Sequence, residues 1–296
     1  MSGTVDQFCD PIWRISNLYF IINKRGQRVR FVPNEAQIEF LRGCSKRDLI
    51  LKARQLGFTT LLCIVGLDEA IFNDNWSVAI IAHKLEDAKR IFQEKVKYPY
   101  DQLPDELKAA RPLVKDAADS LQFANGSKIS VTNSARSGTL QRLHISEFGK
   151  ICAQFPGKAR EIITGSLPAT ENGAITIEST AEGQDGAFYE YVQQSRTREG
   201  KAGPRDWRFH FFPWWKDAGN KLQASQEIIT RETAAYFETL EHQHKIILTP
   251  EQKAWWVAGE RVMHPTMMRR GFAVGLPEMP LHRTACYSCI SCGFRP

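Results

Sequence analysis

Arg54, Gly57, Thr59 and Thr60 stand close together in the stretch RQLGFTT, which follows the apolar run RDLILKA and opens the helical stretch TTLLCIVGLDEAIF. A phosphate-binding loop needs backbone N–H groups converging at a helix N-terminus, a cation for the β- and γ-oxygens, and a hydroxyl for a metal ion. Gly57 supplies the tight turn and Thr59 the hydroxyl. The usual G-x-x-x-x-G-K-[ST] pattern is broken twice: Lys52 stands at the first glycine position and Phe58 at the lysine position. Arg54, inside the loop, can fold back over phosphates and grip two oxygens at once, which an ammonium cannot do. The competing reading is an ordinary strand-to-helix turn carrying a surface arginine.

Two further stretches carry chemistry. In LHISEFG, residues 143–149, an apolar strand ends in Ser146 and Glu147. A carboxylate there can orient and polarise an attacking water, while the residue before it faces the metal. Ser146 brings a hydroxyl able to bond a metal-bound water, but no charge. In IESTAEG, residues 177–183, a second apolar strand ends in Ser179 and Thr180, followed by Gly183. Hydroxyls at the carboxyl end of a central parallel strand face the ligand crevice and can sense a γ-phosphate. Taken singly, each is also compatible with a commonplace strand end.

These residues need a sheet to bring them together. The runs RDLILKA, WSVAIIAH, LQRLHISEF and GAITIEST read as buried strands, and DWRFHFFPWW as an aromatic one. Helical stretches alternate with them: PNEAQIEFLRGCSKRD, a long amphipathic segment over residues 84–107 broken near Pro99, AQFPGKAREIITGSL and GAFYEYVQQSRT, then two more near residues 224–241 and 250–262. Two short β-type runs flank a Lys-Arg-Gly turn near residues 18–32, and Asn125-Gly126 turns a hairpin within residues 119–133. The alternation predicts an α/β fold with a mostly parallel sheet, helices on both faces and a small helical subdomain toward the C-terminus.

Composition agrees with a globular chain: 43% hydrophobic and 24% charged residues over 296 positions, with a net charge of +6 that favours an anionic partner. No apolar run reaches the roughly 18 residues of a membrane span, and the N-terminus shows no signal-peptide pattern, so a cytoplasmic location without a membrane partner is expected. Four scattered cysteines read as free thiols in a reducing compartment.

In combination and order, the three motifs resemble those of the ATPase domain of phage large terminase subunits. The resemblance runs through RQLGFTT, ARSGTLQRLHISEFGKI, AREIITGSL, IESTAEGQDGAFYE and FFPWW, together with DPIWRISNLYFIINKRGQRVRF and VPNEAQ, over roughly residues 9–270. It implies a P-loop NTPase fold of the ASCE type that binds ATP and Mg²⁺. The loop residues Arg54, Gln55, Gly57, Phe58, Thr59 and Thr60 would form the ATP site, with Arg54 as phosphate cation and Thr59 as Mg²⁺ ligand. Ser146 would reach the metal through water, and Glu147 would be the catalytic carboxylate. Ser179, Thr180 and Gly183 would couple hydrolysis to movement, and Gln37 would read adenine unless it is a solvent-facing glutamine. Arg136 would be an arginine finger acting between subunits of a homo-oligomeric ring, with Arg142 and Arg160 as alternatives.

The implied partners are double-stranded DNA, a small terminase subunit and a portal protein, in the host cell cytoplasm. The implied division is an N-terminal segment with an adenine-side helix (1–45), the ATPase core (46–200), its C-terminal, lid-like part (201–270) and an atypical tail (271–296). That tail, with CYSCISC and His282 as the nearby fourth ligand of any metal site, reads as non-functional. A nuclease domain and nuclease activity are not expected; the competing expectation is a decayed prophage remnant that folds without packaging DNA.

Overall fold

The computed structural model describes residues 5–133, 135, 138–223 and 228–262. Short helices α1 (Val5–Cys9) and α2 (Pro11–Asn17) lead into the antiparallel hairpin β1 (Phe20–Ile22) and β2 (Arg28–Arg30), turned at Gly26. Helix α3 (Glu35–Gly43) starts at a capping box, in which Asn34 and Gln37 each bond the other's backbone N–H. Strand β3 (Arg47–Lys52) then runs into helix α4 (Phe58–Phe72).

The chain continues through β4 (Ser77–Ile81), α5 (Leu85–Phe92), a π-helical turn at 93–97, α6 (Tyr98–Asp101) and α7 (Asp105–Ala110). Three strands, β5 (Leu113–Ala117), β6 (Ser120–Phe123) and β7 (Lys128–Val131), form an antiparallel meander. Strand β8 (Arg142–Ser146) precedes α8 (Phe148–Gln154) and α9 (Pro156–Glu161). Strand β9 (Ala174–Ser179), α10 (Gly186–Thr197), β10 (Arg208–Phe212), α11 (Arg231–His244) and α12 (Pro250–Val262) complete the described chain.

Eight strands form one sheet in the order β10-β3-β9-β8-β4-β7-β6-β5. Pairing is parallel from β10 through β7 and antiparallel beyond it. The fold is therefore the mostly parallel α/β sheet expected from the alternating pattern. Strands β3 and β9 are buried at every position but the first, because helices cover both faces.

Side chains alternate between those faces. Ile50, with Ile64, Phe92, Trp214 and Trp256, belongs to the core beneath α4. Leu49, Leu51, Leu143, Ile145, Ile175 and Ile177 belong to the core beneath α8 and α10. The intervening residues Lys52, His144, Ser146 and Glu178 thus share the α4 face.

Several local expectations change. Helix α5 does not break at Pro99: a π turn, closed by the Tyr98 N–H on Gln93 O, accommodates the proline, and the break falls at Pro104. The AQFPGKAREIITGSL stretch divides at Phe155 into α8 and α9, followed by a second π turn at 162–166. Helix α11 begins at Arg231, where Thr230 caps it through the Thr233 N–H. Strand β10 pairs with β3, so the core sheet crosses the division drawn at residue 200. The CYSCISC segment, His282 and Arg136 lie outside the described residues.

The N-terminal segment is fastened to α4 by a buried cluster. Arg14 grips Asp68 with Nε to Oδ1 at 3.0 Å and Nη2 to Oδ2 at 2.7 Å, and Tyr19 donates to Asp68 Oδ1 at 2.9 Å. A bidentate guanidinium with a third donor satisfies a carboxylate that burial would otherwise leave orphaned.

Candidate active site

The loop between β3 and α4 is bent by two left-handed residues, Gln55 at φ +66° and Gly57 at φ +74°. The left-handed conformation favours glycine there, and a Cβ on Gly57 would approach Gln37 Nε2 to 2.8 Å, so the Gln37 amide would have to shift for any other residue. The first N–H groups of α4, at Phe58, Thr59 and Thr60, have no intrahelical acceptor, and no side chain caps them. Such a helix start is suited to anions.

The N-terminal segment holds this loop at two adjacent residues. Lys24, in the β1–β2 turn, donates to Gln55 Oε1 at 2.8 Å. Asn34 Nδ2 and Gln37 Nε2 both donate to Leu56 O, at 3.3 and 3.2 Å. Lys95, carried by the first π turn, donates to Thr60 Oγ1 at 3.3 Å.

Strands β3, β9 and β8 are neighbours, and their ends converge under Thr59. Lys52 Nζ donates to Glu147 Oε1 at 2.9 Å and lies 3.0 Å from Glu178 Oε2. Glu178 Oε1 accepts from Thr59 Oγ1 at 2.7 Å and from Ser146 Oγ at 2.8 Å. His144 Nε2 stands 3.4 Å from the same oxygen. On its other side Glu147 Oε2 accepts from Thr180 Oγ1 at 3.1 Å, and Ser179 Oγ accepts from the Gly149 N–H at 3.0 Å. Glu147 itself is held at φ +55°, a conformation uncommon outside glycine and frequent at working sites.

The electrostatics follow from one cation shared by two carboxylates. Burial alone would push Glu178 up; Lys52 foremost, then His144 and Thr59, outweigh it and hold the carboxyl well below the ordinary range. Burial alone would bring Lys52 down, but Glu178 and Glu147 together hold its ammonium above the ordinary lysine value.

The structure thus brings Thr59, Ser146, Glu147, Ser179 and Thr180 to one place, with Gly57 and Thr60 at the loop above them. Arg54 is exposed at the loop's rim and makes no hydrogen bond or ion pair to a described residue, which leaves its guanidinium open to a ligand. Three expectations shift. The Phe58 side chain points away from the loop into the core, 4.6 Å from Phe212 and 5.9 Å from Phe40 between ring centroids, so only its backbone faces the site. Gln37 is 3% exposed and both ends of its amide are engaged, Oε1 by the Asn34 N–H and Nε2 by Leu56 O, so it is not a solvent-facing glutamine. Arg142 sits at the opposite end of β8 from Ser146 and is committed to Glu69 at 2.7 Å, which removes it as an arginine finger.

Gly183, at φ +102°, lies beside α10, where Leu51, Asp185, Phe188 and Phe209 line a cleft on the other face of the sheet. Arg160 is exposed on α9. Lys52 and Glu178 were missed as site residues. The available signal was their place: Lys52 follows Leu49, Ile50 and Leu51 at the end of β3, and Glu178 stands one residue before the end of β9.

Neither a protein-family model nor a curated protein matches the chain. Among solved structures it is similar to the ATPase domain of the Thermus phage P74-26 large terminase, with a TM-score of 0.54 and 15% identity over 82% of this chain and 93% of that one. It is also similar to the HK97 bacteriophage large terminase, with a TM-score of 0.58 and 16% identity over 90% of this chain and 54% of that one. The chain therefore spans about half the length of the HK97 protein. At these identities the likeness establishes architecture: the chain has the fold of phage large-terminase ATPase domains.

Proposed function

We propose that the chain is the ATP-hydrolysing motor domain of a viral DNA-packaging terminase large subunit. The observation that carries this reading is the convergence of Thr59, Ser146, Glu147 and Thr180 at adjacent strand ends beneath the N-terminus of α4. The helix start and Arg54 take the phosphates. Lys52 and Thr180 hold the two oxygens of Glu147 from opposite sides and so fix the carboxylate that accepts a proton from the attacking water. Gln37 and Asn34, through Leu56 O, keep the loop in its bent form, with Gln37 at the adenine side.

The donors at the strand ends fit a magnesium ion: Thr59 and Ser146 hydroxyls and carboxylate oxygens are hard ligands, which Mg²⁺ combines with phosphate oxygens and water. Bound with the triphosphate, Mg²⁺ would neutralise charge on the β- and γ-oxygens. Ser179, Thr180 and Gly183 would pass the state of the site to α8 and α10. In this reading Arg136 acts between copies in a ring, residues 1–45 carry the adenine-side helix, 46–200 the ATPase core and 201–270 its C-terminal part, which adds β10 to the core sheet, and the small subunit, portal and duplex DNA are the partners. Contacts to duplex phosphates would be sequence-independent and salt-sensitive. No helix among the described residues is long and apolar enough to cross a membrane.

The test is Mg²⁺-dependent ATP hydrolysis by the purified chain beside Glu147→Ala and Arg54→Ala. Loss of turnover by about 100-fold or more is expected for Glu147→Ala, and weakened ATP binding for Arg54→Ala. Equal rates in all three proteins refute the assignment, and binding without turnover in the wild type favours a folded remnant.

A further inference from the structure

The proposed site has a gap. P-loop hydrolases hold their metal with a loop hydroxyl and a strand-end aspartate, and at the aspartate position this chain has Ser146, which carries no charge. A charge stands directly beside it. Ser146 and Glu178 are register partners across the parallel β8–β9 pair, with both side chains on the α4 face. We propose that Glu178 is the metal-positioning carboxylate of this site, its charge moved from β8 to β9, where it orients Thr59 and Ser146 toward the cation. The proposal rests on the nucleotide site inferred above.

The hydrogen-bond directions support it. Thr59 and Ser146 both donate their hydroxyl protons to the same oxygen, Glu178 Oε1, at 2.7 and 2.8 Å. A hydroxyl whose proton is held by a carboxylate has its lone pairs free for a metal ion or a metal-bound water, and outer partners of this kind fix ligand orientation.

Charge balance points the same way. Lys52 contributes one positive charge and faces Glu147 and Glu178, so these three groups alone leave one negative charge in excess, with His144 Nε2 at 3.4 Å from Glu178 Oε1 as the further basic group beside them. Glu178 is fully buried, and its Oε2 faces, at 3.0 Å, the same Lys52 ammonium that Glu147 uses. Two carboxylates that share one ammonium, one of them fully buried, are matched to a further cation. The strand order helps: β9 lies between β8 and β3, so a carboxylate on β9 reaches the loop hydroxyl directly.

The experiment uses Mn²⁺ as a paramagnetic probe, titrated by EPR into the full chain with and without ADP, with metal-free ADP affinity measured in EDTA. Glu178→Gln is expected to weaken Mn²⁺ binding in the ADP complex by about 10- to 100-fold, while metal-free ADP affinity stays close to wild type. Adding Ser146→Asp to Glu178→Gln returns the charge to β8 and is expected to restore most of the Mn²⁺ affinity, a rescue that a merely structural ion pair would not give. Should Glu178→Gln fail to fold, Glu178→Asp keeps the charge for Lys52 but draws it back from Thr59, and the same weakening is expected.

Wild-type Mn²⁺ affinity in Glu178→Gln, or in Glu178→Asp where that variant is used, overturns the proposal, as does failure of Ser146→Asp to rescue. A wild-type chain that binds ADP in EDTA but gains no Mn²⁺ site leaves the nucleotide reading standing and overturns this one. A chain that binds neither overturns both.

Discussion

Replacing Lys52 with methionine keeps the length and apolar contacts of the stem and removes the ammonium that faces Glu147 at 2.9 Å and Glu178 at 3.0 Å. The two carboxylates then respond differently. The Glu147 side chain is 29% exposed and can turn to water, whereas Glu178 is fully buried and cannot. The loss is therefore that of one orphaned buried charge, about 3–5 kcal/mol. The bonds from Thr59 and Ser146 to Glu178 Oε1 survive and keep the loss toward the lower end. At about 2–4 °C per kcal/mol for a large domain, Tm should fall by roughly 6–20 °C.

The pH dependence sharpens the test. In the wild type Glu178 is held below its unfolded value, so its contribution is fully present above the ordinary carboxylate range and is lost as pH falls through and below it. Lys52 is held above its unfolded value, so its contribution is intact throughout that window and is lost only at strongly alkaline pH. Without Lys52, burial dominates at Glu178 and the buried carboxyl takes up a proton more readily than in the unfolded chain. Lys52→Met therefore recovers stability on acidification while the wild type loses it, and the two should converge. Urea unfolding followed by tryptophan fluorescence at about pH 7.5 and about pH 4.5 measures this directly. A deficit below about 1 kcal/mol at the higher pH, or one that does not narrow at the lower pH, refutes the reasoning.

Gly57→Ala forces a Cβ at φ +74° to within 2.8 Å of Gln37 Nε2; a loss above about 1 kcal/mol is expected, with weakened ADP binding measured by isothermal titration. Asp68→Ala leaves the Arg14 guanidinium without its bidentate partner and Tyr19 without its acceptor. It should destabilise the chain by about 3–5 kcal/mol and speed limited proteolysis at residues 10–32, where wild-type resistance would count against the anchor.

What the sequence made legible was whatever repeats locally. The runs at 47–53, 143–147 and 174–179 are apolar because their strands are covered on both faces, so their ends could be read as the places where chemistry emerges. The Asn125-Gly126 turn was legible for the same local reason, with Gly126 at φ +79°. Strand β5 was not, because LVKDA lies at the sheet edge with three exposed central residues and shows no apolar run. The contacts that join the strand ends were also hidden. Lys52 lies 95 residues from Glu147, and Thr59 lies 119 from Glu178, and no periodicity connects positions at that separation.

The two departures from the usual motif now have different explanations. Phe58 replaces a lysine because that position turns into the aromatic core between α3 and β10, where a charge would be costly. The positive charge is present twice over, at Arg54 on the rim and at Lys52 beneath the loop. Ser146 replaces an acid beside a strand that already carries one at the same level of the sheet. Two carboxylates at that level, with Glu147 following, would put three negative charges around the single ammonium of Lys52. On the proposed metal site, one carboxylate on either strand would serve both the metal and the lysine, so an acid at 178 is itself a reason for 146 to be neutral. Motif patterns written along one strand record the position of a charge, whereas the site depends on the charge reaching Thr59. Parallel register lets a neighbouring strand meet that requirement equally well.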